Sequence, residues 1–308
     1  MLIKIAFLLT CLLGIGTGIF RCFQLSSNID QATGFFLAAD WTVWLFWILI
    51  AGIILLPVAA SLSRREPAVR VSRAKLRVQG IFSILLSGCM LYDIYTSVTQ
   101  GFIVQSIGLI ITILTLIAGG LSAFIFLILG VHCLRGKTHS LMVGNLLAIP
   151  ALWCALRIGV SLVTYATVIP ISQRGLSLVF DVLILLFMIG QGRCFLGIHT
   201  AKGQRACMMF GLSAAVVGML ATIPCFFYTL TSGKACFGTP DFSTLALSLY
   251  ALWFSGLAVF SSPDRDKTYF LSSRRLDKTV RFFADSRTGE EEDASVGGTG
   301  SIDTKTDM

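Results

Sequence analysis

Charged residues are scarce in this sequence, and their scarcity decides the class of protein. Only 13% of the 308 residues are Asp, Glu, Lys or Arg, whereas 55% are hydrophobic. Soluble domains are about 25% charged, and disordered chains have low hydrophobicity, so both classes are excluded for most of the chain. Nine cysteines in 308 residues are also too few for a disulfide framework. The composition therefore predicts a polytopic membrane protein.

The residues and motifs that catalysis usually needs are also missing. The three histidines, His132, His139 and His199, all fall at the predicted ends of apolar stretches. Haem and metal sites in a helix bundle need His, Cys or carboxylate pairs at helical spacing. The sequence contains no HExxH motif, no P-loop and no paired glutamates within an apolar stretch. We therefore expect no catalytic centre, no cofactor and no metal site, and we predict that the protein is not an enzyme.

Eight apolar stretches are long enough to cross a bilayer. A spanning helix needs about 20 mostly apolar residues, because hydrocarbon offers no partner to a bare peptide group. The connections between the stretches are short, so no soluble domain is inserted. The sequence thus predicts an all-α fold, a transmembrane helix bundle of about eight spans over residues 1–262. The predicted spans are 2–20, 41–62, 79–98, 107–133, 141–169, 176–199, 206–230 and 242–261.

The first stretch has a signal peptide as its alternative interpretation. A retained helix is favoured, because its basic amino-terminal region is the single Lys4 and no small-x-small cleavage site follows cleanly. Gly14 and Gly18 form a small-xxx-small pair that lets another helix approach closely, although a flexible helix end is the alternative. Pro150 and Pro224 interrupt the fifth and seventh stretches and are expected to kink them.

The basic residues predict the orientation of the spans, because cytoplasmic loops carry an excess of Lys and Arg. Twenty of the 24 basic residues fall on one side of the predicted bundle. The other side carries only Arg21, Arg174 and Lys234, and Arg157 lies inside a span. This asymmetry alternates through all eight crossings. Both termini are therefore predicted to be cytoplasmic.

Two segments follow the last span. Residues 263–285 form a predicted basic amphipathic helix that lies on the anionic inner leaflet, or alternatively a short solvated helix against the cytoplasmic loops. Residues 286–308 are rich in Gly, Ser, Thr and acidic residues, so they are predicted to be a disordered acidic tail. The basic residues proposed to contact the membrane surface are Arg274, Arg275, Lys278 and Arg281.

Three ionisable residues interrupt the apolar pattern: Asp93, Arg157 and Asp181. A charge at membrane depth costs about 2.5–3.5 kcal/mol on insertion scales, so it usually faces a partner or water. At 1.5 Å per residue, all three fall in the outer half of the bilayer, and Arg157 and Asp181 are expected to be neighbours. They form either a charge-neutralising pair that fixes helix packing or a polar site that binds an ion or a small solute. Further polar residues, Asn145, Tyr165 and Gln191, are interpreted as interhelical hydrogen-bonding groups.

A pattern of spaced residues runs through the fifth, sixth and seventh spans. It resembles that of uncharacterised polytopic membrane proteins from anaerobic Gram-positive bacteria. The resemblance covers residues 150–224 and implies a bacterial cytoplasmic membrane, with no activity attached. The residues that carry it are Trp153, Arg157, Tyr165, Ser172, Asp181, Phe187, Gln191, Arg193, Arg205, Phe210, Gly211, Leu212, Ala215 and Pro224.

Charge concentrated outside the spans, with one balanced cluster within, favours a non-enzymatic membrane module such as a scaffold, assembly or sensory component. The alternative is a small transporter whose site includes Asp93, Arg157 and Asp181. Expected partners are the lipid bilayer, anionic inner-leaflet lipids and a protein in the membrane. The net charge of +8 is assigned to topology and not to nucleic-acid binding.

The orientation is testable by cysteine labelling. A Ser232→Cys variant should react with an impermeant thiol reagent on intact cells, and a Ser63→Cys variant should not. The background lacks Cys22 and Cys236, which lie on the predicted outer side and are expected to be free thiols and not a disulfide. The opposite labelling pattern would refute the orientation.

Overall fold

The computed structural model describes residues 2–29, 41–62, 73–99, 106–135, 141–164, 171–196, 200–233 and 241–260. Nearly all of these residues are helical. The helices are α1 (Leu2–Ser27), α2 (Trp41–Leu62), α3 (Arg73–Thr99), α4 (Ser106–Leu134), α5 (Leu141–Leu146), α6 (Ala148–Thr164), α7 (Ile171–Leu196), α8 (Thr200–Ser232) and α9 (Phe242–Phe260).

Within these ranges, eight helical segments are long and apolar enough to span a membrane. Helices α5 and α6 contribute to one span, Gly144–Leu162, and they are separated by a turn at Leu147. Pro150 follows in the first turn of α6, where a proline ring is tolerated. Pro224 lies inside α8, which continues through it without a break. The protein is thus an eight-span, all-α membrane protein, as the composition predicted.

Four helices extend at least five residues beyond the predicted spans. Helix α7 begins at Ile171 and α8 at Thr200, before the predicted starts at residues 176 and 206. Helix α1 continues to Ser27, past the predicted end at residue 20, and α3 begins at Arg73, before the predicted start at residue 79. Polar residues at these ends did not stop the helices. Long basic side chains bury their apolar stems while the charged head reaches the membrane surface, so a helix can continue past an apolar run.

Contacts between successive helices establish their alternating direction. Gly80 of α3 lies against Gly130 of α4, and Ser87 Oγ donates a hydrogen bond to the Ala123 carbonyl oxygen over 2.7 Å. These pairs run in opposite directions along the two helices. The start of α1 lies at the same end of the bundle as the end of α9, where Phe7 and Phe260 pack with ring centroids 5.2 Å apart.

Helices α8 and α9 form the centre of the bundle. In the most apolar window of α8, 72% of the residues are buried, and the value for α9 is 67%, whereas it is 22% for the windows of α1, α3 and the α5–α6 span. Helix α8 contacts α1, α2, α7 and α9. Aromatic rings fill the core beside α9, where Tyr250 packs edge-on against Phe126 and Phe187.

Small residues allow the close approach of the central helices. A Cβ atom at Gly14 would lie 2.5 Å from Val216 Cγ1, so α1 can approach α8 only because residue 14 has no side chain. This contact supports the small-xxx-small interpretation at Gly14, whereas a Cβ atom at Gly18 would make an ordinary contact with Leu220 Cδ2 at 3.5 Å. A Cβ atom at Gly218 of α8 would overlap Ser248 Oγ of α9 and the Phe180 ring of α7. In lipid, such van der Waals packing is a main source of helix association.

Several predicted features lie outside the described residues. They are the juxtamembrane helix 263–285 with Arg274, Arg275, Lys278 and Arg281, the acidic tail 286–308, Tyr165 and Cys236. Cys22 is a free thiol within α1. Of the 24 basic residues, 13 also lie outside the described part of the chain, eight of them after the last span, so the orientation stays a prediction.

The contact at Gly218 predicts a destabilising substitution. Gly218→Ala should lower the free energy of unfolding by about 1–3 kcal/mol, because overpacking forces neighbouring side chains from their positions. Ser248 cannot move freely, since its hydroxyl donates to the Thr244 carbonyl oxygen over 2.7 Å. Thermal unfolding of the purified protein in detergent measures the effect.

Gly88→Ala is the matched control, because a Cβ atom at Gly88 would meet no atom within 4 Å. Alanine at an open helix position is neutral or stabilising by about 0.5–1 kcal/mol. Equal stability of the two variants would contradict the packing argument.

Candidate functional site

An ion pair links α6 to α7 in the half of the bundle where α9 begins. Arg157 Nε lies 3.2 Å from Asp181 Oδ1, and the two side chains are only 16% and 3% exposed. The two residues come from consecutive spans that form a hairpin. The sequence-based expectation that Arg157 and Asp181 are neighbours is therefore confirmed.

The same guanidinium group reaches the start of α9. Arg157 Nη2 lies 3.7 Å from Asp241 Oδ2 and donates a hydrogen bond to Thr244 Oγ1 over 3.4 Å. Its Cζ atom lies 5.0 Å from the centre of the Trp153 ring, a cation–π contact that also shields the charge. One arginine thus holds three helices together.

Asp93 also binds the start of α9, but by a different contact. Its Oδ2 atom accepts a hydrogen bond of 2.7 Å from the backbone N–H of Ser243. The first N–H groups of a helix have no partner within the helix, and the helix dipole favours a negative charge there. Asp93 is thus at the same end of the bundle as Arg157, as predicted, but its described hydrogen bond goes to the backbone of α9 instead of Arg157.

We call these six residues the ionic cluster. Its members come from four helices and the residue before α9: Asp93, Arg157, Asp181, Asp241, Ser243 and Thr244.

Three members of the ionic cluster, Asp241, Ser243 and Thr244, were not among the residues that the sequence analysis singled out. A local signal was present, because Asp241 directly precedes an apolar run and Asp is a favoured residue at the start of a helix. Its carbonyl oxygen accepts hydrogen bonds from the backbone N–H groups of Thr244 and Leu245 over 3.1 and 3.4 Å. Asp241 thus caps α9 and contributes a carboxylate to Arg157.

The burial of a second arginine was not predicted from the sequence. Arg21 was counted only as a basic residue of the outer side, beyond the predicted end of the first span at residue 20, but it lies in α1 and is 1% exposed. Its Nη1 and Nη2 atoms donate to Gln24 Oε1 and Gln173 Oε1 over 3.2 and 3.3 Å, and its Cζ atom lies 4.9 Å from the centre of the Phe46 ring. Gln24 gave a signal in the sequence that the helix continues past Arg21, because residues i and i+3 are neighbours on a helix surface.

The two glutamines extend this contact to other helices. Gln24 Nε2 donates to the Thr42 carbonyl oxygen of α2 over 3.0 Å, and Gln173 Nε2 donates to the Ala221 carbonyl oxygen of α8 over 2.7 Å. We call Arg21, Gln24 and Gln173 the Arg21 cluster. It ties α1, α2, α7 and α8 together.

A neutral pair lies closer to the other end of the bundle. Gln191 Nε2 of α7 donates a hydrogen bond to the Tyr250 hydroxyl of α9, and both side chains are fully buried. The interpretation of Gln191 as an interhelical hydrogen-bonding group is confirmed. Asn145, which had the same interpretation, is exposed.

The ionic cluster joins helices through buried charges, and one of its carboxylates, that of Asp241, is exposed. If all its side chains are ionised, three carboxylates face one guanidinium, and the amino terminus of α9 offsets part of the excess negative charge. Asp181 is buried, whereas the side chain of Asp241 is 55% exposed. Within the described ranges, no group of three or more His, Cys, Asp or Glu residues is arranged to hold a metal ion.

Comparison of the chain with protein-family models, with curated proteins and with solved structures finds no match. The resemblance to membrane proteins of anaerobic Gram-positive bacteria therefore stays a prediction. The geometry of the ionic cluster is the basis on which a function can be argued.

Removing only one partner of the Arg157–Asp181 ion pair should destabilise the protein strongly. Arg157→Met should lower the free energy of unfolding by about 3–5 kcal/mol, because it leaves the buried Asp181 carboxylate without its partner. The double variant Arg157→Met/Asp181→Leu should regain much of this loss, since no unpaired charge remains at that position. Thermal unfolding in detergent measures both.

Arg193→Met is the control, because Arg193 is exposed in the last turn of α7. An exposed substitution of this kind changes stability by about 0.5 kcal/mol or less. If the double variant is no more stable than Arg157→Met, the pair does not carry the effect.

Proposed function

We propose that the protein is a non-enzymatic membrane module, such as a scaffold, assembly or sensory component. The observation that carries the proposal is the use of the buried charges: Arg157 and Arg21 each donate a hydrogen bond to another helix of the same chain. A binding or catalytic site instead holds polar groups ready for a ligand. The intramembrane charges of this protein serve helix packing.

The grooves of the bundle support the same proposal. A groove of about 590 Å³ lies between α1 and α8, and its lining is almost entirely apolar, with Gly14, Gly18, Val216 and Leu220 among the lining residues. Such a surface suits a lipid chain or an apolar helix better than a polar solute, because a polar solute would lose its hydrogen bonds there.

We further propose that this module lies in a bacterial cytoplasmic membrane with both termini in the cytoplasm. The support is the unequal distribution of Lys and Arg and the resemblance in residues 150–224. The basic residues of segment 263–285 would then face the anionic inner leaflet, where each Lys or Arg gains about 1 kcal/mol. We also propose that the module binds another protein within the membrane.

A small transporter is the second candidate, and the exposed edge of the ionic cluster favours it. The Asp241 carboxylate is accessible, and three carboxylates outnumber the single Arg157 guanidinium. A cation or a small polar cation-bearing solute could bind at such an edge. The two candidates differ in whether a solute stabilises the folded protein.

The experiment is thermal unfolding of the purified protein with amino acids, sugars, metal cations and organic cations added in turn. A solute present at 100 times its dissociation constant stabilises a protein by about 2.7 kcal/mol, which raises the melting temperature of a chain of this length by about 4 °C. We expect no member of the panel to raise it by more than about 1 °C.

Asp241→Asn is the discriminating variant, because Asn caps a helix about as well as Asp and the fold should be retained. A solute that stabilises the wild type and loses this effect in Asp241→Asn would overturn the proposal in favour of the transporter.

A further inference from the structure

Four uncharged polar residues meet between α3, α7 and α9, toward the end of the bundle opposite the ionic cluster. They are Gln79 and Ser83 of α3, Gln191 of α7 and Tyr250 of α9, and all four are fully buried. We call them the Gln79 site. Gln79 and Gln191 each lie five residues inside the end of their span, which places both at a depth of about 8 Å.

The Tyr250 hydroxyl is the point where these side chains meet. Gln191 Nε2 donates a hydrogen bond to it, and the two α3 side chains lie beside it. The Tyr250 ring is held edge-on between Phe126 and Phe187, whose ring centroids are 5.5 and 6.2 Å away. The hydroxyl therefore has a fixed position between the two amides.

Three polar atoms of the site have no hydrogen-bond partner among the described residues. They are Nε2 and Oε1 of Gln79 and Oε1 of Gln191. The Gln79 amide lies beside the Tyr250 hydroxyl, but neither of its atoms meets that hydroxyl at hydrogen-bonding geometry. The Ser83 hydroxyl donates its proton to the Gln79 backbone carbonyl oxygen over 2.9 Å. The site thus offers one donor group and two acceptors to a further molecule.

Unpaired polar atoms of this kind need a physical explanation. Buried polar groups in folded proteins are nearly always hydrogen-bonded, because a polar group that leaves water without gaining a partner costs free energy. Lipid hydrocarbon offers no replacement partner. Two amides from different helices, at the same depth and beside one hydroxyl, therefore indicate a small molecule bound between them.

We propose that the Gln79 site binds water. The water donates hydrogen bonds to Oε1 of Gln79 and Oε1 of Gln191, and it accepts a hydrogen bond from Gln79 Nε2. A buried water makes about three hydrogen bonds to otherwise unpaired groups, so one or two molecules satisfy the site. The water joins α3 to α7 beside α9, and the inference does not depend on the proposed function.

The residue types of the site select water over other occupants. All four residues are uncharged, so a bound ion would be buried without an opposite charge beside it, which costs far more than burying a neutral molecule. An apolar molecule would leave the three amide atoms unpaired. Water alone is small and supplies both donors and acceptors.

The test is radiolytic labelling of the full-length protein in nanodiscs. X-rays convert water to hydroxyl radicals, which oxidise the side chains next to that water, and mass spectrometry locates the products. We expect Tyr250 to be labelled although it is fully buried. No labelling of Tyr250 would overturn the proposal.

Phe180 is the control within the same protein. It is also fully buried, but its ring lies against Gly218 and not at the Gln79 site. Phe180 should stay unlabelled. Equal labelling of Phe180 and Tyr250 would overturn the proposal, because it would show that solvent enters the core in general.

Gln79→Met removes the α3 amide and keeps the length of the side chain. It should abolish the labelling of Tyr250, and labelling that persists would overturn the proposal. Thr10→Val is the matched control, because Thr10 is equally buried in α1 and its hydroxyl donates to the Ala6 carbonyl oxygen over 2.7 Å. It should leave the labelling unchanged. Gln191→Met removes the other amide and provides the same test if Gln79→Met does not fold.

Thermal unfolding gives a second readout of the same variant. With water bound, Gln79→Met should lower the melting temperature, because Gln191 Oε1 then loses its bridged partner. Without water, the substitution would remove two unpaired polar atoms and raise the melting temperature. A melting temperature above that of the wild type would therefore overturn the proposal.

Discussion

A charge inside hydrocarbon must have a partner, and a partner on another helix fixes how the two helices pack. Arg157 meets this requirement with Asp181 and the start of α9, and Arg21 meets it with Gln173 of α7, beside Gln24 of its own helix. Because each partner belongs to a defined position on its helix, the two arginines set the rotation and depth of the helices that they join. Apart from α4 and α5, every helix of the described bundle is held by one of the two clusters.

Apolar side chains then pack between helices whose orientation is set by the two clusters. Lipid tails are as apolar as leucine, so burial of apolar surface does not by itself drive helices together in a bilayer. Close approach is achieved by residues such as Gly14 and Gly218, which let α8 lie against α1, α7 and α9. A hydroxyl such as that of Ser248 remains satisfied by the carbonyl oxygen one turn earlier. Small residues therefore lie at the points where the most buried helices touch their neighbours.

The sequence was sufficient to predict the class, the number of spans and the Arg157–Asp181 pair, because apolar length and hairpin proximity are local properties. It did not reveal that Arg21 is buried, since the end of an apolar run was taken as the end of a helix. It also could not predict that Asp93 binds the backbone of Ser243, because that contact joins residues 150 positions apart. The buried face of a span is determined by its contacts with other helices, and these cannot be predicted from one apolar run alone.

The contacts of Arg21 have a consequence for the synthesis of the protein. Its partner Gln173 lies 152 residues later in the chain, and chains are made at about 5–20 residues per second. The first span is therefore complete about 8–30 s before α7 can contact it. During this interval, α2 already supplies Phe46 and the Thr42 carbonyl oxygen, but α7 and α8 are absent. The amino-terminal hairpin must wait at the membrane with a charge only partly shielded, and the bundle closes around Arg21 when its last helices arrive.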